Sequence, residues 1–246
     1  MSVLHNPETI NICNNCAACI KSCPYNALNK NYDKVIWNKN ACRNCDKCLK
    51  VCPSNSSPKT RAMSVEDVVR EINKVKAFIS GITVSGGECT LQHEFVTALF
   101  KEVKKMGLTT FLDTNGFIPL WDKKELICVM DMAMIDVKSY DLKEHIWLTG
   151  KGNKNVLENV RYLSSIKKLY EVRTVIVPEI LDNYYNVDKI NKLIVSLNQD
   201  IRYKIIKYRP LGVRTELLES CVPSDEMMNE LLKIANKNGC KNVIVV

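Results

Sequence analysis

The sequence predicts an α/β fold: a parallel sheet built from alternating strands and helices, with a small cysteine-rich domain ahead of it. Three observations predict it. One cysteine run occurs twice near the N-terminus, short apolar runs alternate with amphipathic segments from residue 64 onward, and polar residues collect where those apolar runs end.

The cysteine domain comes first. Eight of the twelve cysteines form two copies of C-x-x-C-x-x-C-x-x-x-C-P, namely Cys13-Cys16-Cys19-Cys23-Pro24 and Cys42-Cys45-Cys48-Cys52-Pro53. Three thiolates spaced two residues apart wrap one 4Fe–4S cluster when the backbone loops tightly, and the fourth, before proline, turns toward another cluster. The interleaved arrangement predicts Cys13, Cys16 and Cys19 with Cys52 on one cluster, and Cys42, Cys45 and Cys48 with Cys23 on the other. Structural zinc is the alternative, although it usually takes two separated C-x-x-C pairs. Between the runs, Val35-Ile36-Trp37 reads as a strand of the hairpin joining the halves, and the serine- and proline-rich 54–59 as the linker out.

Ser64-Val65-Glu66-Asp67 then has the form of a capping box, followed by Val68, Val69, Ile72, Val75 and Ile79 at helical spacing. Strands are predicted at 82–84, 109–112, 132–135, 172–177, 203–206 and 242–246, and helices at 92–106, 156–166, 187–197 and 225–236. Short strands separated by amphipathic helices call for a parallel sheet with right-handed crossovers, open or curved into a partial barrel. A full eightfold barrel needs more chain than remains.

Ser85-Gly86-Gly87-Glu88 follows the first of these strands, Asp113-Thr114-Asn115-Gly116 the second and Asp136-Val137-Lys138 the third; Arg173 interrupts the fourth and Arg209 follows the fifth. The carboxyl ends of parallel strands form one rim, so these residues are expected to face a common site. Taken singly, Gly-Gly reads as a turn, Asp-x-Lys as a surface pair and Arg173 as a strand residue. Together they suit a zwitterionic ligand with hydroxyls. Cys89, Cys128, Cys221 and Cys240 read as inert thiols.

Composition narrows the function classes. With 46% hydrophobic and 25% charged residues the chain is globular, and its apolar runs are too short to span a membrane. No basic, then apolar, leader opens the chain, so the cysteines are expected as thiols or metal ligands in the cytoplasm. The net charge of +8 comes from scattered lysines such as Lys101, Lys104, Lys105, Lys167 and Lys168. Without interleaved aromatics these read as solvated helix faces and exclude a nucleic-acid patch, while suiting an acidic protein partner.

Ser85-Gly86-Gly87-Glu88, Asp113-Thr114-Asn115-Gly116, Asp136-Val137-Lys138 and Leu148-Thr149-Gly150, preceded by the two cysteine runs, resemble the glycyl-radical enzyme activating enzymes. More narrowly, the chain is similar to the radical S-adenosylmethionine (SAM) activases that carry a two-cluster ferredoxin-like insert. The resemblance runs from His5 to the end. It implies a partial (β/α) barrel of radical SAM type and a third 4Fe–4S cluster that reduces SAM to methionine and a 5′-deoxyadenosyl radical. That radical takes a hydrogen from a backbone glycine of a partner glycyl-radical enzyme, with a flavodoxin or ferredoxin-type protein as electron donor. The resemblance also implies that Gly86, Gly87 and Glu88 hold the methionyl amino group, and that Asp113, Asp136 and Lys138 position SAM or a nearby cation. Arg173 would reach the ribose or carboxylate, and Asn115 joins the cofactor-binding set.

One departure bears on activity. The family holds its SAM cluster with C-x-x-x-C-x-x-C directly before His-Asn-Pro; here His5-Asn6-Pro7-Glu8-Thr9 is present, with Met1 and Leu4 where the second and third cysteines would be. The first cysteine and the first barrel strand would precede Met1. Residues 1–9 therefore read as a remnant of the SAM-cluster loop, 10–60 as the ferredoxin-like domain and 61–246 as a partial barrel missing its first strand. As written, the chain is expected not to cleave SAM. A second departure is Arg209, where several relatives have His. The alternative function is a ferredoxin-type electron-transfer or scaffold protein without SAM chemistry.

Overall fold

A computed structural model of the chain describes residues 13–32, 34–53, 59, 63–209 and 220–246. The His5-Asn6-Pro7 segment, nearly all of the 54–59 linker and Pro210-Leu211-Gly212 lie outside the described residues.

The two cysteine runs fold alike. Each passes through two left-handed residues, Asn15 and Ala17 in the first (φ 55° and 60°) and Asn44 and Asp46 in the second (φ 52° and 55°). Each then enters a one-turn helix, α1 at Ala18–Lys21 and α2 at Lys47–Lys50. Alternating left- and right-handed residues turn successive amides into a concavity, the backbone form that suits iron–sulfur groups. Between the runs, β1 (Leu28–Asn31) and β2 (Lys34–Trp37) pair antiparallel with Leu28 opposite Trp37, which is the expected hairpin. The module's buried core is Cys19, Leu28 and Cys48, with Trp37 and Val35 packed against it.

The larger part is a six-stranded, all-parallel sheet in the order β3 (Gly81–Val84), β4 (Thr109–Thr114), β5 (Met132–Asp136), β6 (Leu169–Ile176), β7 (Arg202–Lys207) and β8 (Val243–Val245). The connecting helices are α3 (Val65–Asn73), α4 (His93–Lys105), α5 (Lys124–Val129), α6 (Leu142–Thr149), α7 (Lys154–Ser165), α8 (Asn183–Leu197) and α9 (Asp225–Lys237). At the start of α3, Asp67 N donates to Ser64 Oγ at 3.2 Å and Ser64 N donates back to Asp67 Oδ2 at 3.0 Å, closing the expected capping box. The helix is shorter than its pattern: it ends at Asn73, and Val75 and Phe78 are exposed on the way to a short 3₁₀ turn. Helices α5 and α6 are absent from the sequence expectation. For α6 the signal was Asp141-x-x-Glu144, since Glu144 N donates to Asp141 Oδ1 at 2.8 Å.

Strand alternation decides what faces the site. Leu112, Ala133, Ile135, Val172 and Ile205 are buried and belong to one core with Val96, Leu99, Phe100 and Val103, the i, i+3, i+4, i+7 stripe of α4. The neighbouring strand positions Asp113, Asp136 and Arg173 fall on the other, half-buried face. Among the described residues no helix is long and apolar enough to cross a membrane.

Candidate functional site

Strands β4, β5 and β6 are neighbours, with Asp113 in register with Met134 and Asp136 with Arg173. Their half-buried faces therefore bring three charged side chains together. Arg173 Nε donates to Asp136 Oδ1 at 2.6 Å, Nη1 donates to Asp113 Oδ2 at 3.2 Å, and Nη2 donates to Asp113 Oδ1. Both ends of the Asp113 carboxylate are thus met by one guanidinium fork. Lys138 Nζ donates to Asp136 Oδ2 at 2.7 Å. The result is a charge-balanced ladder, Asp113–Arg173–Asp136–Lys138. Burial works to lower the Arg173 pKa, but the hydrogen bonds and charges of Asp113 and Asp136 outweigh it and hold the pKa above its ordinary value. The Arg173 side chain is 16% exposed and that of Lys138 34%, so the ladder is open along one side. Its carboxylates keep lone pairs for hydroxyls or an amino group, and Lys138 keeps protons for a carboxylate.

The Gly-Gly segment follows β3 with φ of 97° at Gly86 and 47° at Gly87, left-handed values that favour glycine. The adjoining Glu88 is buried, and its carboxylate is turned inward. Oε1 accepts from Thr90 N at 3.1 Å, Thr90 Oγ1 at 2.6 Å and Thr114 Oγ1 at 2.7 Å; Oε2 accepts from Asn115 N at 2.8 Å. Glu88 therefore ties the loop after β3 to the turn after β4, and this loop presents backbone rather than carboxylate to a ligand. Asn115 is exposed beside it, its Oδ1 accepting from Phe117 N at 2.9 Å. Gly116 (φ 70°) closes the turn; a Cβ there would lie 3.0 Å from Ile135 Cγ2. Cys89 donates to the Asp113 carbonyl at 3.2 Å, and burial, then the charges of Glu88 and Asp113, push its thiol pKa far up. It stays protonated and unreactive.

A polar network missed from the sequence supports Lys138 from behind. Asn186, on α8 and 1% exposed, accepts from Ser139 Oγ at 3.0 Å and Tyr140 N at 2.7 Å, and donates to Glu144 Oε2 at 2.5 Å. Its position on a helix gave no sign that it reaches the strand-end loop. Arg209 is exposed after β7 and forms no ion pair among the described residues.

Two sets of cysteines come together. Cys23 shares a cavity wall with Cys42, Cys45 and Cys48, together with Trp37 and Lys59. Cys19 lies close enough to Cys13 and Cys52 for their charges to act on it, after burial, in raising its pKa. Among the described residues no three such side chains converge tightly enough for a single metal ion. Four cysteines lining one cavity suit an iron–sulfur group, and Trp37 Nε1, buried without a hydrogen-bond partner among the described residues, supplies a donor for sulfur. The residues fit such a group.

The family described as the Radical SAM superfamily matches residues 18–187. A pyruvate formate-lyase-activating enzyme of Staphylococcus epidermidis is 34% identical over 198 residues, covering 73% of this chain and 79% of that protein. The crystal structure of a domain of the pyruvate-formate lyase-activating enzyme from Bacteroides vulgatus shares the fold with a TM-score of 0.59 at 20% identity, over 68% of this chain and 99% of that one. Streptococcus suis SuiB, bound to S-adenosylmethionine, shares it with a TM-score of 0.62 at 14% identity, over 76% and 44% of the two chains.

Proposed function

The chain belongs to the radical SAM superfamily, among the glycyl-radical enzyme activases, and from that premise we propose that it places SAM along the Asp113–Arg173–Asp136–Lys138 ladder and serves it with electrons from a two-cluster module. By family it is an oxidoreductase whose chemistry uses a 4Fe–4S cluster and SAM. When bound, that cluster supplies the electron that breaks a carbon–sulfur bond of SAM.

The ladder carries the reading: two carboxylates, a guanidinium and an ammonium, on or just past three adjacent strands and beside a Gly-Gly backbone loop. The Gly86–Gly87 backbone would receive the methionyl amino group, with Glu88 holding the loop in place. Asp113 and Asp136 would accept from hydroxyls or flank a cation, Arg173 and Lys138 would meet the carboxylate or ribose, and Asn115 would line the rim. Cys13, Cys16, Cys19 and Cys52 would hold one cluster of the module, and Cys23, Cys42, Cys45 and Cys48 the other. The module would span 10–60 and the partial barrel 61–246, with 1–9 as a remnant of the loop that holds the SAM cluster. The sequence contains no C-x-x-x-C-x-x-C run, and the residues in hand therefore supply no ligand triad for that cluster. The protein substrate would be a glycyl-radical enzyme; the Staphylococcus epidermidis relative is named for activating pyruvate formate-lyase. The electron donor would be a flavodoxin or ferredoxin-type protein of the cytoplasm.

The test is iron and sulfide per chain after anaerobic reconstitution, with SAM binding by calorimetry and 5′-deoxyadenosine formation under dithionite. About eight irons, SAM binding and no cleavage are expected. Cleavage with about twelve irons would show that other ligands build the third site. Eight irons without SAM binding would leave a ferredoxin-type electron-transfer or scaffold protein.

A further inference from the structure

The two cysteine runs are alike in backbone and unlike in charge. Ala17 and Asp46 hold the same left-handed place before α1 and α2, at φ 60° and 55°. Asp46 Oδ1 accepts from Lys59 Nζ at 2.5 Å, and the same ammonium donates to Asn44 Oδ1 at 3.3 Å. This clasp holds Lys59, its side chain 16% exposed, in the wall that Cys23, Cys42, Cys45 and Cys48 share. Ala17 has no carboxylate with which to hold a lysine over the first run.

The balance of the clasp is positive at the thiols. Asp46 is 52% exposed, so water screens it more than it screens the lysine. Arg43 lines the same cavity, so two cations stand there against the one carboxylate of Asp46. Trp37 adds to the asymmetry: it lines the cavity of Cys23, Cys42, Cys45 and Cys48, and its buried Nε1–H has no hydrogen-bond partner among the described residues. A positive charge and an N–H directed at sulfur both favour the reduced cluster, which carries one more negative charge.

We propose that Lys59 and Trp37 hold the cluster site of Cys23, Cys42, Cys45 and Cys48 at a higher reduction potential than the site of Cys13, Cys16, Cys19 and Cys52, making it the resting place of the electron in the module. The inference rests on the two-cluster reading above. One electron leaves the first-run cluster, which is oxidised, and reduces the second-run cluster; no bond forms or breaks and no proton moves. The electron enters from an external one-electron reductant, dithionite in the test.

The experiment is a potentiometric titration of the reconstituted full chain followed by electron paramagnetic resonance, after an iron count. The parent chain is expected to show two separated one-electron waves. Lys59→Met should lower the upper wave by about tenfold in its equilibrium constant, about 59 mV for one electron, and leave the lower wave in place. Trp37→Phe should move the upper wave in the same direction, and Lys59→Arg should keep it near the parent value. Should Lys59→Met fail to take up iron, Trp37→Phe and Lys59→Arg decide the matter. About eight irons with coincident waves, or with variants that move the lower wave or neither, overturn this inference alone. About four irons overturn the two-cluster reading and the inference with it.

Discussion

Arg173 on β6 reaches past the whole of β5 to grip the carboxylate of Asp113 on β4, while its Nε donates to Asp136 on the strand between them. One side chain thus fastens three strand ends at the rim.

Removing it leaves two half-buried carboxylates with only Lys138 to offset them. Arg173→Met is expected to cost about 2–3 kcal/mol, less than a fully buried pair would because water reaches the ladder. Arg173→Lys keeps the charge but not the fork and should lose about half of that. Chemical denaturation at matched iron content measures both, and calorimetry should show SAM affinity falling at least tenfold in the methionine variant. Unchanged stability and affinity together would remove the ladder from both roles.

Asn186→Ala removes the acceptor of the Tyr140 N–H, a partner of the buried Ser139 hydroxyl and a donor to Glu144. The expected loss is about 1–3 kcal/mol, read as a lower denaturation midpoint with an unchanged slope.

Asp131 gives a pH signature. Burial works to raise its pKa, but Lys104 Nζ at 2.6 Å and the Thr110 N–H at 2.8 Å outweigh it and hold the carboxyl below its ordinary value. A lowered folded-state pKa adds stability that is fully present above the unfolded value and disappears as pH falls through the folded one. Asp131→Asn should therefore be less stable than the parent by about 1 kcal/mol at neutral pH, with the gap closing below about pH 4. Thermal melts between pH 7 and 3 would show whether the two curves converge.

Chelation of the iron should unfold the cysteine module and spare the sheet. Two of the three buried residues of its described core are cysteines of the runs, and little apolar surface remains when the metal is gone. Limited trypsin digestion should then cut first at Lys21, Arg43, Lys47 or Lys50. Equal protection of the module with and without iron would argue that the hairpin stands alone.

Much of this was legible. Short apolar runs between amphipathic stretches marked every strand of the six-stranded sheet, because sheet burial requires such runs. The start of β6 was set at Val172, whereas the strand begins at Leu169. A glutamate in the run hid its beginning; Glu171 is buried because Arg202 lies 3.7 Å away. Charges at strand ends marked Asp113, Asp136, Lys138 and Arg173, but which of them bond to one another depends on register, here Asp136 beside Arg173. The inward turn of Glu88 was not visible either, since its partners Thr114 and Asn115 lie on another strand's turn. The network around Asn186 depends on a contact between residues more than forty positions apart, which local pattern does not report.

In the described sheet every strand pairs with the one that follows it in the chain. Each strand and helix can dock on its predecessor as it leaves the ribosome, at about 5–20 residues per second, and only the β7–β8 pairing waits for the C-terminus. The cavity shared by Cys23 and the later cysteines works the other way, since it cannot form until both runs have emerged. Cys23 thus waits for the second run before its cavity has walls, whereas each strand of the sheet needs only its predecessor.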